Sequence, residues 1–243
     1  GGRLAATNVP IPHLCLITAI AQDHEHFLGR QINQIAWEKA GILKPGIPAV
    51  ASPDNKKAQE EIRNRAKAIG ADLSLLSEDF NFQTGQSDQQ WLFQDQQGTL
   101  TLPHPGLLGD HQFQNGALAV AGTRILSRAG WNIPNEAIRQ GIASAKWPGR
   151  MEWIHHTPPL LLDGAHNLHA AKSLARYLRG VSSPLRPFTL IFSALKDKSA
   201  QAIAQTLAPL VDQVWTVSVG GKRGLDTTEL SNIWQALDRP TSP

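Results

Sequence analysis

The residues that could do chemistry fall in five short stretches of this 243-residue chain. In ITAIAQDHEHFLG, residues 17–29, an apolar run stops at Asp23-His24-Glu25-His26. A histidine at a strand end can hold a metal ion, or it can be an ordinary solvated loop residue. In AWEKAGILKPG, residues 36–46, Lys39 sits among Ala, Trp and Ile. A lysine in such surroundings can serve as a neutral, reactive amine, or it can snorkel to water. In LLLDGAHNLHAA, residues 160–171, an apolar strand delivers Asp163 to its C-terminal end and His166-Asn167 open a helix. An acidic residue there suits a ribose hydroxyl and a helix start suits a phosphate, yet Asp and Asn also cap helices with no ligand at all. In WPGRMEW, residues 147–153, Arg150 could clamp a phosphate or stack on a base, or stay a surface charge. In GDHQFQNGALA, residues 109–119, His111, Gln112 and Asn115 begin a helix, where capping and packing are the ordinary roles.

The elements that must position these residues follow from apolar periodicity. HLCLITAIA reads as a buried strand and RQINQIAWEKAGIL as a helix that Gly41 stops. KPGIPAVAS is a turn and a short strand. NKKAQEEIRNRAKAIGADL is an amphipathic helix with Ala58, Ile62, Ala66 and Ile69 on one face. SLLSEDFNFQ reads as a strand, and QQWLFQDQQGTLTL as a hairpin turning at DQQG. Residues 111–129 are helical, and PNEAIRQGIASA is a helix with Pro134 near its start. Beyond KWPGR the pattern becomes strand, helix, strand, helix, strand, helix. That alternation predicts a parallel, doubly wound α/β domain and puts a boundary near Lys146. Residues 1–146 and 147–243 are therefore two α/β pieces.

Composition narrows the function classes. Apolar residues make up 41%, which suits a globular protein. The net charge of +3, without a Lys/Arg run, gives no reason to expect nucleic acid as a partner. Cys15 is the only cysteine, so no disulfide forms within the chain, which suits the cytoplasm. The longest apolar stretches are far short of a membrane span, and no signal peptide is visible.

GGRLAATNV, ITAIAQDHEHFLG, IAWEKAGILKPG, GDHQFQNGALA, WPGRMEW and LLLDGAHNLHAA occur in the order and spacing of one family. Over residues 1 to about 225 the chain resembles folylpolyglutamate synthase/dihydrofolate synthase of the Mur ligase superfamily. The resemblance implies the latter half of a P-loop-type central ATPase domain, residues 1–146, followed by an incomplete Rossmann-like C-terminal domain, residues 147–243, with nucleotide in the cleft between them. It implies a ligase that uses ATP and Mg2+ to join L-glutamate to dihydropteroate or a folate through an acyl phosphate, acting as a monomer in the cytoplasm. His24 matches the family's magnesium-ligand histidine, and Lys39 its carbamylated lysine, whose carbamate supplies an oxygen ligand. Asn115, Arg150 and Asp163 match its ATP contacts, with His166 beside them. Leu4, Ala5 and Ala6 match the segment lining the pterin pocket.

Three departures qualify that match. No G-K-[ST] phosphate loop occurs, Ala5 stands where the family has Asp in GGRLDATN, and the chain stops at Pro243 before the strand and helix that close the domain. The sequence thus reads as an internal part of a longer enzyme, not active alone. A muramyl-peptide ligase and a non-catalytic nucleotide-binding paralogue are the alternatives.

Overall fold

The structure, a computed structural model, describes residues 2–6, 8–20, 31–85, 90–155, 157–181, 187–221 and 223–242. The chain divides into two compact units, residues 1–146 and 147–243.

In the first unit β1 (Cys15–Ile17), β2 (Pro48–Ala51) and β3 (Asp72–Leu75) form a parallel sheet in the order β1-β2-β3, with Ala49 opposite both Cys15 and Leu73. Parallel strands need crossovers, and α1 (Ile32–Ala40) and α2 (Lys56–Ile69) provide them. The expected stripe of α2 is the buried one: Ala58 and Ile62 are fully enclosed, Ala66 nearly so, and Ile69 packs at the edge. Asn55 caps the helix by accepting from the main-chain N–H groups of Lys57 and Ala58. Ala49, Val50 and Ala51 of β2 have no exposure, as a strand covered on both faces requires.

SLLSEDFNFQ is not one strand. Ser77 takes φ of 71°, and the Asp79 carboxylate accepts from Leu75 N–H at 2.7 Å. This turn ends β3 and sends β4 (Phe80–Thr84) into a separate antiparallel sheet with β5 (Gln90–Asp95) and β6 (Gly98–Pro103). The hairpin turns at DQQG as the sequence predicts, pairing Asp95 with Gly98. Helix α3 (His111–Arg128) shares a core with β2 and this second sheet, built on Val50, Trp91, Phe93, Leu102 and Val120. Arg124 of α3 is buried there; its guanidinium pairs with Asp95 and donates to Gly98 O at 3.0 Å. Helix α4 (Asn135–Ser144) follows, with Pro134 as its N-cap residue.

In the second unit β7 (Glu152–Ile154) and β8 (Leu160–Leu162) pair antiparallel. Helix α5 (Leu168–Gly180) follows, then β9 (Phe188–Phe192), α6 (Ala200–Leu207) with a 3-10 turn at Ala208–Leu210, β10 (Val211–Thr216), α7 (Thr227–Gln235) and β11 (Thr241–Ser242). The order β11-β10-β9 is parallel throughout. The expectation of an all-parallel sheet therefore holds for β9 to β11 and fails for β8. Only five residues separate β7 from β8, enough for a hairpin and too few for a crossover helix. Helix α7 opens on a capping box between Asp226 and Glu229. Its Trp234, with no exposure, meets Phe192 edge-on at 5.3 Å. Among the described residues no helix is long and apolar enough to cross a membrane.

Candidate active site

The loops 149–151 and 163–165 are bonded to each other at the entrance to α5. Gly164 N–H donates to Gly149 O at 2.8 Å, and Met151 N–H donates to Asp163 Oδ2 at 2.9 Å. The second carboxylate oxygen of Asp163 accepts from Ala165 N–H at 2.9 Å, and Glu152 Oε2 accepts from Gly149 N–H at 2.8 Å. Two residues of the first loop lie in the left-handed region, Gly149 at φ 68° and Met151 at φ 45°. The second carries a side chain, so its conformation has to be imposed from outside. The Asp163 carboxylate is the group that holds it.

Arg150 stands between these two residues, exposed at the crest of the loop. Its guanidinium passes Gly164, where a Cβ would lie 3.7 Å from Nη1 and 3.9 Å from Cζ. These are ordinary van der Waals separations, so the guanidinium lies beside the loop that opens α5 without being crowded there. Among the described residues this guanidinium has no ion-pair partner. His166 Nδ1 lies 2.9 Å from Gly164 O, which suits the tautomer protonated at Nδ1. Asn167, not Asp163, is the N-cap of α5: it accepts from Ala170 N–H at 2.8 Å. The arrangement brings together a mobile-length cation, a half-buried carboxylate and a helix start, a set suited to a phosphorylated ligand.

Asn115 belongs to the first unit. It donates from Nδ2 to Gln112 Oε1 at 3.0 Å, and Gln112 Nε2 lies 3.1 Å from His111 Nε2. The three residues lie in the first turns of α3, and Gln112 and Asn115 line an apolar cavity of 300 Å³ between α3 and α4.

Lys39 lies in the last turn of α1, half-buried. It lines a cavity of 390 Å³ together with Asn8, Cys15, Thr18 and Ile42. Gly2 and Arg3 run alongside this turn. Arg3 N–H donates to Glu38 O at 2.8 Å, and the Arg3 guanidinium meets the Glu38 carboxylate with two hydrogen bonds, 3.1 Å from Nε and 2.9 Å from Nη2. The Leu4 side chain is 81% exposed, Ala5 is half-buried and Ala6 exposed, so the segment expected to line a pocket offers backbone and small groups on one side and Leu4 to solvent. The thiol of Cys15 donates to Ile42 O at 3.3 Å, and burial pushes its pKa up, with Lys44 opposing more weakly.

Of the residues singled out by sequence, Arg150, Asp163 and His166 are brought together in the second unit. Lys39 lies in the last turn of α1, Leu4–Ala6 follow the Arg3 that pairs with Glu38 of that turn and do not line the Lys39 cavity, and Asn115 lies on α3. His24, with Asp23 and His26, lies outside the described residues. Among the described residues no three His, Cys, Asp or Glu side chains form a group able to hold a metal. Sequence reasoning missed Glu152, which staples the Arg150 loop, and the Arg3–Glu38 pair. The acid two places after Arg150 was a visible signal; a pair 35 positions apart leaves none.

Residues 149–240 match the family model described as Mur ligase, glutamate ligase domain. Over 242 residues the chain is 35% identical to the dihydrofolate synthase/folylpolyglutamate synthase of Bacillus subtilis, covering 96% of this chain and 56% of that protein. Escherichia coli FolC in complex with DHPP and ADP superposes with a TM-score of 0.86 at 31% identity, over 100% of this chain and 55% of that one. A bifunctional folylpolyglutamate synthase/dihydrofolate synthase with Mn, AMPPNP and L-glutamate bound superposes at 0.83, also 31% identical, over 100% and 56%. The chain thus spans about half the length of the curated relatives it matches.

Proposed function

We propose that this chain, which belongs to the folylpolyglutamate synthase/dihydrofolate synthase family of Mur ligases, serves a ligase that uses ATP to join L-glutamate to dihydropteroate or a folate. Residues 1–146 are the latter part of its ATPase domain and residues 147–243 its glutamate-ligase domain. The observation that carries the reading is the bonded pair of loops that sets Arg150 and Asp163 together at the start of α5.

The reaction has two steps. An acceptor carboxylate oxygen attacks the γ-phosphorus of ATP, and ADP leaves. The glutamate amine then attacks the acyl phosphate carbon and loses a proton, and inorganic phosphate departs as the amide forms. Both steps bring anions together, so positioned cations and dipoles supply most of the rate. In this reading Arg150 neutralises phosphate charge. Asp163 accepts from a ribose hydroxyl with the lone pairs not used on Met151 and Ala165. His166 faces the nucleotide and Asn115 binds it from α3. Leu4, Ala5 and Ala6 line the acceptor, where Ala5 removes the carboxylate usual in the family.

Lys39 is the described residue this reading assigns to a magnesium ion; the other residues lining its cavity add no carboxylate or imidazole. The lysine lines a cavity of 390 Å³ whose wall also includes Asn8 and Thr18, and Asn8 Oδ1 accepts from Lys44 Nζ. As a neutral amine, Lys39 adds to CO2 and loses a proton, giving a carbamate whose oxygens would hold the ion with His24. A bound Mg2+ would screen the phosphate charge. The protein is proposed to act in the cytoplasm as a monomer.

The test supplies ATP, Mg2+ and labelled L-glutamate with dihydropteroate, a folate or a UDP-muramyl peptide, and follows ADP and product mass. It is run on this chain and on the full natural polypeptide that carries it. Glutamate transfer to the pterin acceptors supports the reading. ADP release only with the muramyl acceptor, or no turnover by the full polypeptide, overturns it.

A further inference from the structure

The turn that carries Arg150 keeps none of its N–H groups for a ligand. Trp147-Pro148-Gly149-Arg150 has the form of a type II turn: Arg150 N–H donates to Trp147 O at 3.3 Å, proline stands second, and Gly149, third, takes φ of 68°. Gly149 N–H goes to Glu152 Oε2 at 2.8 Å and Met151 N–H to Asp163 Oδ2 at 2.9 Å. Three consecutive N–H groups, those of residues 149 to 151, are thus bonded inside the protein. A glycine-bearing turn can hold a phosphate with its own main-chain N–H groups. This one presents the Arg150 side chain instead.

The two carboxylates hold the turn at different points. Glu152 lies in β7, in register with Leu162 of β8, and Asp163 follows Leu162 directly, so both half-buried acids stand on one strand pair. Between them Met151 buries its side chain, while Arg150, one residue earlier, stays exposed. Type I and type II turns differ by a half-turn of the peptide that joins their second and third residues. Here that peptide is Pro148–Gly149, and its N–H is the one Glu152 accepts. Glycine adopts φ of either sign, so residue 149 does not select the turn type by itself. Gly164 N–H holds the next peptide through Gly149 O, and Asp163 holds the one after it.

We infer that Glu152 is a positioning residue of the nucleotide site: it locks the Pro148–Gly149 peptide, and it acts on a bound phosphate only through the guanidinium that this turn carries. This rests on the reading of Arg150 under the proposed function. A carboxylate two residues from a phosphate-binding cation repels the phosphate. Its service is therefore the acceptor oxygen and not the charge. With the peptide free to turn over, the guanidinium samples more positions and meets a phosphate in fewer of them, so affinity falls through lost preorganisation.

The test is titration calorimetry of ADP, and of adenosine as the ligand without phosphate, on the full natural polypeptide that carries this chain. Arg150→Ala weakens ADP about tenfold and Glu152→Ala about fivefold, while Glu152→Gln, which keeps the acceptor, recovers most of that loss. In the Arg150→Ala background, adding Glu152→Ala changes ADP affinity by less than about twofold, because the group it acts through is gone. Adenosine affinity moves by less than about twofold in every variant. Thermal unfolding identifies a folding defect, and Glu152→Met, which keeps the bulk without the acceptor, serves if Glu152→Ala does not fold. Wild-type ADP affinity in folded Glu152→Ala, an equal loss in both backgrounds, an equal loss in Glu152→Gln, or an equal loss for adenosine overturns the inference. Arg150→Ala separates the two layers. Wild-type ADP affinity in that variant overturns the Arg150 reading and this inference with it, whereas weakened ADP there with no effect of Glu152→Ala overturns the positioning role alone.

Discussion

The carboxylate of Asp163 accepts the main-chain N–H of Met151 at 2.9 Å and holds that residue at φ 45°. Asp163 therefore shapes the loop that bears Arg150, whatever else it binds. Its other oxygen serves Ala165 N–H, so removing the side chain strands two half-buried donors. Asp163→Ala is expected to lower stability by about 1–3 kcal/mol and weaken ADP binding together. Asp163→Asn keeps one acceptor and is milder in both. Urea unfolding and ADP calorimetry on the same preparations check the pairing of the two effects.

Arg150 should separate those effects. Its side chain is exposed and without an ion-pair partner among the described residues, so Arg150→Ala leaves stability within about 0.5 kcal/mol. ADP affinity falls by about tenfold, and Arg150→Lys recovers part, since an ammonium keeps the charge and loses the fork. Equal ADP affinity in the wild type and Arg150→Ala would remove this residue from the nucleotide site.

For Lys39 the expectation is chemical rescue. Lys39→Ala abolishes ligation in the full polypeptide, and millimolar formate or acetate restores part of it, because a small carboxylate supplies the oxygens that a carbamate would. Full activity of Lys39→Ala ends the carbamate reading.

The Cys15 thiol gives a pH prediction. Burial raises its pKa in the folded chain, so the folded state holds the proton more tightly than the unfolded one. The stabilisation is fully present below the ordinary thiol range, about 8.5, and is lost as pH rises from there through the folded pKa. Cys15→Ala should flatten that part of the alkaline decline in urea unfolding measured at neutral and alkaline pH. At neutral pH the native thiol should also react with iodoacetamide much more slowly than the unfolded one, which mass spectrometry reads directly.

What was legible in the sequence was what local physics decides. The buried stripe of α2 follows from a period that survives four turns, and the β5–β6 hairpin from DQQG between alternating strands. The antiparallel β7–β8 pair was not legible, because three-residue strands show no period and loop length alone sets their pairing. Ser77, which cuts SLLSEDFNFQ in two, carries no mark of its left-handed turn; the cause is the Asp79 carboxylate two places on. At the candidate site the types of Lys39, Arg150 and Asp163 were visible. Their supports were not, because Arg3 and Glu38 meet across 35 positions and Gly164 meets Gly149 only once both loops are folded.

The buried pair between Arg124 and Asp95 also sets a schedule for the chain as it is made. The two residues lie 29 positions apart. At synthesis rates of about 5–20 residues per second, the β5–β6 hairpin waits about 1.5 to 6 seconds for its cation to emerge from the ribosome. Until then the Asp95 carboxylate cannot be enclosed without a severe desolvation cost, so the hairpin's sheet stays open on the side that α3 will cover. A ribosome that pauses between the codons for Asp95 and Arg124 prolongs the exposure of Trp91 and Phe93, and with it the need for a chaperone.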